Sequence, residues 1–133
     1  MKLLYSVQRY GADVVGGSEA AARMFAEHLV ERGHDVHVLT SCALSYVDWA
    51  NVLPPGTEEI NGVAVHRLPV ADLRRPEKFG PLHGWMIAGP RPSPLFEQQR
   101  WAKHMGPDLV GHREWLHAHH DEYALAVFMT YLY

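Results

Sequence analysis

Cysteine is nearly absent from the chain, which contains only Cys42 among its 133 residues. No intrachain disulfide can form, and this composition favours a reducing compartment. Long apolar runs are absent as well. The N-terminal run, residues 3–7, is too short for the core of a signal peptide, and Arg9 follows closely. No stretch approaches the length of a membrane span, so we expect a soluble, cytoplasmic protein.

A surplus of basic residues is also missing. The chain has 12 Lys and Arg against 15 Asp and Glu, a net charge of −3 with neutral histidines. This balance gives no indication of a nucleic-acid partner. Hydrophobic residues make up 47% of the chain, which is typical of a globular protein, and the length fits one domain.

Three well-known motifs are absent too. The dinucleotide fingerprint G-x-G-x-x-G does not occur, since Gly11 and Gly16 are five residues apart. Gly17 is followed by Ser18-Glu19 instead of the Lys-Ser/Thr pair of a Walker A motif. The G-x-S-x-G elbow of serine hydrolases is missing. These absences weigh against a nicotinamide dehydrogenase, a P-loop ATPase and an elbow-type hydrolase.

The N-terminal region does contain a clear strand–helix–strand pattern. Apolar runs at 2–8 and 35–40 predict two strands of a parallel sheet. Between them, the pattern predicts a helix over 18–32, with Ser18 as the N-cap and Gly33 just past the C-terminus. Such a unit forms a right-handed crossover.

Five residues of this helix, four of them apolar, recur at a spacing that predicts its inner face. They are Ala21, Met24, Phe25, His28 and Leu29. On the same helix, Glu19 and Arg23 are four residues apart in the order that favours an ion pair.

Two adjacent glycines, Gly16 and Gly17, stand directly before the helix. One interpretation is that they let the backbone approach a ligand, so that the N–H groups from Gly17 to Ala20 bind an anion such as a phosphate. The other is that they only satisfy a tight turn with positive φ. The strand–helix–strand pattern alone does not separate the two.

A longer stretch, "KLLYSVQRYGADVVGGSEAAARMFAEHLVERGHDVHVLTS", resembles the start of a GT-B-type glycosyltransferase of the large retaining family 4. Further on, "NGVAVHRLPV" is similar to the third strand of that family. The resemblance covers residues 1–70. It implies an α/β fold with a Rossmann-like parallel sheet flanked by helices, the incomplete N-terminal half of a GT-B fold.

The resemblance also implies a function. The full-length protein would transfer a sugar from a nucleotide-sugar donor to an acceptor such as a glycan, a lipid or a small molecule. Residues 1–133 would form part of the acceptor-side domain, while the C-terminal donor-binding domain lies outside this chain, which alone would be inactive. By resemblance, the donor phosphates contact Gly16, Gly17 and Ser18. The acceptor-side candidates are Arg9, Tyr10 and Tyr131.

The sequence departs from the family at one point. Many members carry a histidine in or just after the strand that matches 123–130, where this chain has Thr130 and Tyr131. We therefore assign no catalytic acid or base. The family's retaining mechanism would then depend on the donor phosphates and on backbone electrostatics at Gly16 and Gly17.

The remainder of the chain is less regular. Eight of the nine prolines lie between 54 and 94, so we expect little regular structure there apart from a hairpin turn at Asn61-Gly62. Helices are predicted from Ser93 to Met105 and over 108–119, and a buried strand over 123–130. A basic cluster with aromatic neighbours is formed by Arg74, Arg75, Lys78, Phe79 and Trp85. It is either an acceptor-side or peripheral membrane-facing loop or, as a run this short favours, a solvated connector.

Histidines are dense near the C-terminus. The group consists of His117, His119, His120 and Asp121. Zinc binding is one interpretation, but the spacing matches no metal motif. A solvated helix end, where the helix dipole favours histidines, is preferred. We assign no metal site and expect no metal cofactor.

Two function classes remain. One is the glycosyltransferase, and the alternative is a non-catalytic, flavodoxin-like module that binds a phosphate or a nucleotide. For the first, we expect the strand order 3-2-1-4, with the strand at 2–8 between those at 35–40 and 123–130 and the strand at 63–68 outside. Residues 123–133 would form an unpaired apolar edge, and the isolated chain would aggregate or expose hydrophobic surface.

Overall fold

The computed structural model describes residues 1–89 and 91–129. Its elements are strand β1 (Lys2–Ser6), helix α1 (Gly17–Glu31), strands β2 (Asp35–Ser41), β3 (Gly56–Ile60) and β4 (Val63–Leu68), helices α2 (Pro76–Ala88), α3 (Leu95–Met105) and α4 (His112–His119), a 3-10 turn (His120–Glu122) and strand β5 (Leu125–Phe128). None of the helices in these two ranges is long and apolar enough to cross a membrane.

The five strands form one sheet in the order β3-β4-β2-β1-β5. β1 pairs in parallel with β2 and β5, and β2 pairs in parallel with β4. The parallel strands therefore follow the predicted order 3-2-1-4, and the Rossmann-like α/β fold is confirmed. A flavodoxin-like sheet places its third parallel strand beside the first, so this sheet does not have the flavodoxin topology.

α1 covers one face of the sheet through its small residues. Ala22 and Ala26 are fully buried and pack in the core cluster that includes strand residues such as Val38. The predicted inner face was wrong at Met24 and Phe25, which are 50% and 48% exposed, whereas Leu29 of that face packs against the core. Two alanines let the helix lie close to the sheet, and this close approach leaves the larger side chains on the solvent side.

The predicted C-terminal end of α1 is confirmed, but its predicted N-cap was wrong. Gly33, at φ 82°, donates to Val30 O (2.9 Å), and the next N–H reaches Leu29 O (3.0 Å), which is a Schellman motif. The N-cap is Gly16 and not Ser18. The predicted pair of Glu19 with Arg23 was also wrong, since Arg23 lies nearer Glu27, at 3.9 Å.

A hairpin joins β3 to β4 at the predicted turn. Asn61 and Gly62 have φ values of 50° and 79°, as a type I′ turn requires. Asn61 Nδ2 donates to Glu27 Oε1 (2.8 Å), which ties the hairpin to α1. A Cβ at Gly62 would lie 2.8 Å from Val30 Cγ1, so a glycine also allows this close contact.

The proline-rich stretch is more regular than expected. Besides β3 and β4 it contains α2, which continues through Pro81 although every residue of this helix is at least partly exposed. Tertiary contacts hold α2 in place: the Nε1–H of Trp101 in α3 donates to His83 Nδ1 (3.0 Å), and the Arg74 guanidinium lies over the Phe79 ring (4.3 Å). The connector interpretation of this stretch is replaced by a helical hairpin of α2 and α3.

The two later helix predictions were nearly correct. α3 begins at Leu95, with Pro94 as its N-cap, and ends at Met105 as expected. α4 begins only at His112, because Leu109 forms a β-bridge with Val70 and thereby keeps the preceding residues extended.

Histidines line the face of the sheet opposite α1. His37 Nδ1 is 2.8 Å from His66 Nε2, and Thr57 Oγ1 is 2.9 Å from His66 Nδ1. The Trp115 ring lies 5.0 Å from that of His66. Burial, together with the neighbouring charges of His37 and His119, lowers the pKa of His66 to about 4. This network is therefore built for neutral histidines.

The stability of the fold should fall in mild acid for this reason. Because the pKa of His66 lies below its ordinary value, its contribution is complete above about pH 6.5 and is lost as the pH falls toward 4. After discounting for partial solvent contact, we expect a loss of about 2 kcal/mol over this interval. Denaturant titrations at a series of pH values measure it. His66→Phe should flatten the pH dependence, whereas His117→Phe on the exposed side of α4 should not; equal slopes in all three proteins would contradict the assignment.

β5 lies at the edge of the sheet in the described part of the chain and pairs with β1. Leu125 and Phe128 are 56% and 51% exposed. The described portion of this edge is thus apolar, as expected, but the buried strand predicted over 123–130 was wrong: β5 has no further strand on its outer side within the described residues, so its side chains are largely exposed. The predicted aggregation of the isolated chain stays a prediction.

Candidate functional site

The candidate site lies where the parallel strands end. The loop that follows β1 runs from Val7 to Gly16 and leads directly into α1. In open parallel sheets, ligands bind beyond these carboxyl ends, and the first strand-to-helix loop is a usual contact. The fold therefore places Gly16, Gly17 and Ser18 at the expected edge of the sheet.

A buried ion pair holds this loop against the helix. The Nε–H and Nη2–H groups of Arg9 both donate to Glu19 Oε1, over 3.0 and 2.7 Å. The two side chains are 6% and 7% exposed. Arg9 also donates to the carbonyl oxygens of Val15 (3.1 Å) and Leu44 (3.0 Å). One guanidinium therefore connects the loop, the first turn of α1 and the segment after β2.

The second oxygen of Glu19 is occupied as well. The Ser18 hydroxyl donates to Glu19 Oε2 over 2.7 Å. Burial would raise the pKa of the Glu19 carboxyl, but the hydrogen bonds from Ser18 and Arg9 and the charge of Arg9 outweigh burial and hold the pKa below its ordinary value. Glu19 is thus a carboxylate at neutral pH, and its pair with Arg9 adds no net charge to the loop.

The two glycines have different roles. A Cβ at Gly16 would overlap Glu19 Oε2 and lie 3.1 Å from Arg9 Nη2, so a glycine is needed for the ion pair to form. At Gly17, no side chain or other distant atom of the described residues comes within 4 Å of a Cβ. Neither glycine needs the left-handed backbone of a tight turn, since Gly16 is extended at φ 164°. The tight-turn interpretation is therefore wrong, and Gly17 faces open space.

Among residues 1–89 and 91–129, no partner takes up two backbone donors at and beside Gly17. The first intrahelical hydrogen bond runs from the Ala20 N–H to Gly16 O (2.9 Å), so Ala20 is already satisfied, contrary to the sequence expectation. The N–H groups of Gly17, Ser18 and Glu19 precede it and have no intrahelical acceptor, and the N–H of Glu19 bonds to the carboxylate of its own residue. Together with the positive end of the helix dipole, these two donors suit an anionic oxygen.

The acceptor-side candidates lie deeper than expected. Arg9 and Tyr10 are 5% and 1% exposed, and Tyr10 belongs to the core cluster beneath α1. Burial, aided by the charge of Glu27, raises the pKa of Tyr10 to about 12. Tyr131 lies outside the described residues, so its role stays a prediction. Arg9 can act on a ligand only through the loop that it holds.

A second arginine, Arg74, also contacts the segment after β2. Tyr46 O accepts a hydrogen bond from Arg74 Nη1 (2.7 Å), while the Tyr46 ring lies 5.1 Å from the Arg9 guanidinium. Arg74 Nε also donates to His104 O at the end of α3 (2.8 Å). The glycine loop and the α2–α3 hairpin are therefore linked through Tyr46.

Sequence reasoning missed Tyr46 as an element of this site, and it missed the contacts of Glu19 with Arg9 and of Arg74 with Tyr46. The partners are 10 residues apart for Arg9 and Glu19, and 28 apart for Tyr46 and Arg74. No periodicity or motif connects such pairs. The sequence did contain one signal, which is the position of Arg9 directly after an apolar strand. A charged side chain that the following loop buries needs a partner of opposite charge.

The described residues support neither a metal site nor a cysteine nucleophile. No group of three or more His, Cys, Asp or Glu there could hold a metal ion. In the C-terminal histidine group, His119 Nδ1 is 2.7 Å from Trp115 O, and His120 Nδ1 is 2.9 Å from His117 O. Cys42 is fully buried, and burial raises the pKa of its thiol, so it is a packing residue and not a nucleophile.

Comparison with protein families identifies the fold more closely. Residues 16–128 match the family described as the glycosyl transferase 4-like domain. The chain belongs to this family. The match begins at Gly16, where the loop meets α1, and ends at the last residue of β5. The two glycines and the carboxylate that packs against them are therefore part of the glycosyl transferase 4-like domain. No curated protein and no solved structure matches the chain.

Proposed function

We propose that the protein transfers a sugar from a nucleotide-sugar donor to an acceptor, and that Gly16, Gly17 and Ser18 lie against the donor diphosphate. The family match is the observation that carries the proposal, because it shows a glycosyl transferase 4-like domain. The open space at Gly17 and the two available N–H groups support it.

Backbone electrostatics supply the chemistry in this proposal. When the bond between the sugar and the nucleotide breaks, negative charge develops on the leaving diphosphate. N–H donors that already point at this position stabilise the charge without reorganising during the reaction. Arg9 and Glu19 are positioning residues here: their buried pair fixes the loop, and therefore the direction of the Gly17 and Ser18 N–H groups.

The proposal assigns the rest of the reaction to parts beyond the described residues. A C-terminal donor-binding domain would hold the nucleotide, and the acceptor would enter beside the present domain, with Tyr131 as a candidate contact. No protein nucleophile and no metal cofactor are assigned. The proposed location is the cytoplasm, in keeping with a sole cysteine that is buried.

Release of nucleoside diphosphate from nucleotide sugars tests the proposal. The full-length protein is incubated with a panel of uridine, guanosine and adenosine diphosphate sugars, with and without a mixture of glycan, lipid and small-molecule acceptors. We expect release from one nucleotide class, faster with acceptor and with the anomeric configuration retained in the product. A folded full-length protein that neither binds nor cleaves any donor of the panel would contradict the proposal.

A further inference from the structure

A cavity of about 240 Å³ lies between α2 and α3. Its polar lining is mostly basic and comes from both helices and the segment before them: Arg75, Lys78, Arg100 and His104, with Asp72 as the one acid. Its apolar lining consists of Leu73, Phe79 and Leu82. No part of the proposed donor site belongs to it.

Charge is strongly segregated along the sequence around this cavity. Residues 74–105 contain six of the 12 Lys and Arg but only two of the 15 Asp and Glu. This hairpin therefore has an excess of four positive charges, while the rest of the chain has an excess of seven negative charges. Such a separation favours an anionic ligand at the hairpin in a protein that is acidic as a whole.

Much of the positive charge in the cavity has no internal partner. Lys103 lies 2.9 Å from Asp72 and holds the pKa of that carboxyl below its ordinary value, so the one acid of the lining is already compensated. Arg100 lies 3.6 Å from Glu97. The side chains of Arg75 and Lys78 form no ion pair or hydrogen bond with the residues of 1–89 and 91–129. These two cations flank the first turn of α2, at the positive end of the helix dipole.

The cavity also provides an apolar wall beside the cations. Phe79 is fixed by the guanidinium of Arg74 above its ring (4.3 Å), and Leu73 is 49% exposed. A small inorganic anion would leave this wall in contact with water. A ligand that joins a doubly charged anionic group to a short apolar substituent would cover both parts of the lining.

We infer that the cavity between α2 and α3 binds a phosphate monoester through Arg75, Lys78 and Arg100, with the substituent of the ester against Phe79 and Leu82. If the proposed function is correct, this ligand is the acceptor or part of it; that assignment rests on the proposed function, whereas the binding itself does not. Arg74 joins the hairpin to Tyr46, on which Arg9 of the glycine loop also lies. A phosphorylated acceptor bound in this cavity would thus be connected to the donor loop through Arg74, Tyr46 and Arg9.

Calorimetry with inorganic phosphate and butyl phosphate tests the binding in the full-length protein. We expect butyl phosphate to bind about tenfold more tightly, because part of its chain is removed from water. Lys78→Glu should weaken its binding roughly tenfold or more by removing one charge-assisted contact and adding a repulsive charge. Arg113→Glu, on the exposed side of α4, makes the same change in net charge and should leave binding within about twofold. Equal losses in both variants, or no preference for butyl phosphate, would overturn the inference.

A second measurement distinguishes a lipid headgroup from a soluble phosphate ester as the ligand. Vesicles of phosphatidylcholine with phosphatidic acid present the same group on a lipid. Sedimentation of the protein with these vesicles, lost in Lys78→Glu but not in Arg113→Glu, identifies a lipid headgroup as the ligand. Binding of butyl phosphate without sedimentation identifies a soluble phosphate ester. Absence of both rejects the cavity as a phosphate site.

A third comparison keeps this inference distinct from the proposed function. Lys78→Glu should bind UDP, GDP or ADP as the unmodified protein does. Gly17→Val should bind butyl phosphate normally but lose affinity for the nucleoside diphosphate. If butyl phosphate binding instead fails in Gly17→Val and survives in Lys78→Glu, the ester occupies the glycine loop and the cavity assignment is wrong.

Discussion

Glu19→Ala is expected to lower the free energy of unfolding by about 3–5 kcal/mol, the largest effect that we expect from a single substitution in this protein. The substitution leaves the Arg9 guanidinium almost fully buried with no counter-charge and removes the acceptor of two of its hydrogen bonds. The carbonyl oxygens of Val15 and Leu44 remain, but neither carries a full charge. Chemical denaturation at pH 7 measures the loss.

Two further proteins distinguish this explanation from a general effect on α1. Glu31→Ala, near the exposed end of the same helix, should change the free energy of unfolding by less than about 0.5 kcal/mol. The double variant Arg9→Met, Glu19→Leu replaces the ion pair with apolar groups of similar size, and it should recover most of the stability. If the double variant is as unstable as Glu19→Ala, the unpaired charge is not the cause of the loss.

The sign of the pH dependence gives an independent check. The pKa of Glu19 is below its ordinary value, so its contribution to stability is complete above about pH 4.5 and is lost as the pH falls further. His66 acts in the interval from about 6.5 to 4. Acid denaturation should therefore proceed in two pH intervals, of which only the lower one disappears in Glu19→Ala.

Features encoded by local sequence could be predicted. The turn at Asn61-Gly62 depends on two residues that tolerate positive φ, and the end of α1 depends on Gly33 in the same way. The apolar run of β1 predicted a strand buried on both faces, and it lies between two parallel neighbours. Each of these features needs only the residues of its own segment.

Features that depend on distant contacts could not be predicted. The inner face of α1 is set by how closely the helix approaches the sheet, which favours Ala22 over the larger Met24. α2 forms in spite of Pro81, because Arg74 and α3 hold it. In the candidate site, the sequence identified both glycines but not their different roles. Those roles depend on Glu19, whose side chain folds back against Gly16 and leaves Gly17 open.

The different roles of Gly16 and Gly17 lead to the second large effect that we expect, which is on donor binding. Gly17→Val should reduce affinity for the nucleotide-sugar donor, or turnover, by about tenfold to a hundredfold in the full-length protein. A β-branched side chain would occupy the open space where the phosphate oxygens are proposed to lie, and one charge-assisted contact is worth roughly 1.5–3 kcal/mol. The tight-turn interpretation would add a cost in stability, because a valine is strained at positive φ, but Gly17 is the first residue of α1 and has no such backbone. Its stability should therefore change by less than about 1 kcal/mol.

Ser18→Ala and Gly16→Ala are the matched controls, because both act on Glu19 and neither blocks the open space. Ser18→Ala removes the hydroxyl that donates to Glu19 Oε2 and should cost about 1–2 kcal/mol of stability, while the backbone N–H groups still bind donor within about threefold. Gly16→Ala should cost more, since its methyl group overlaps the same oxygen and forces the buried pair apart. Donor affinity, turnover and thermal unfolding are measured for all three variants. If folded Gly17→Val binds and turns over donor as the unmodified protein does, the donor phosphates do not lie at this loop, and the two N–H groups serve only water.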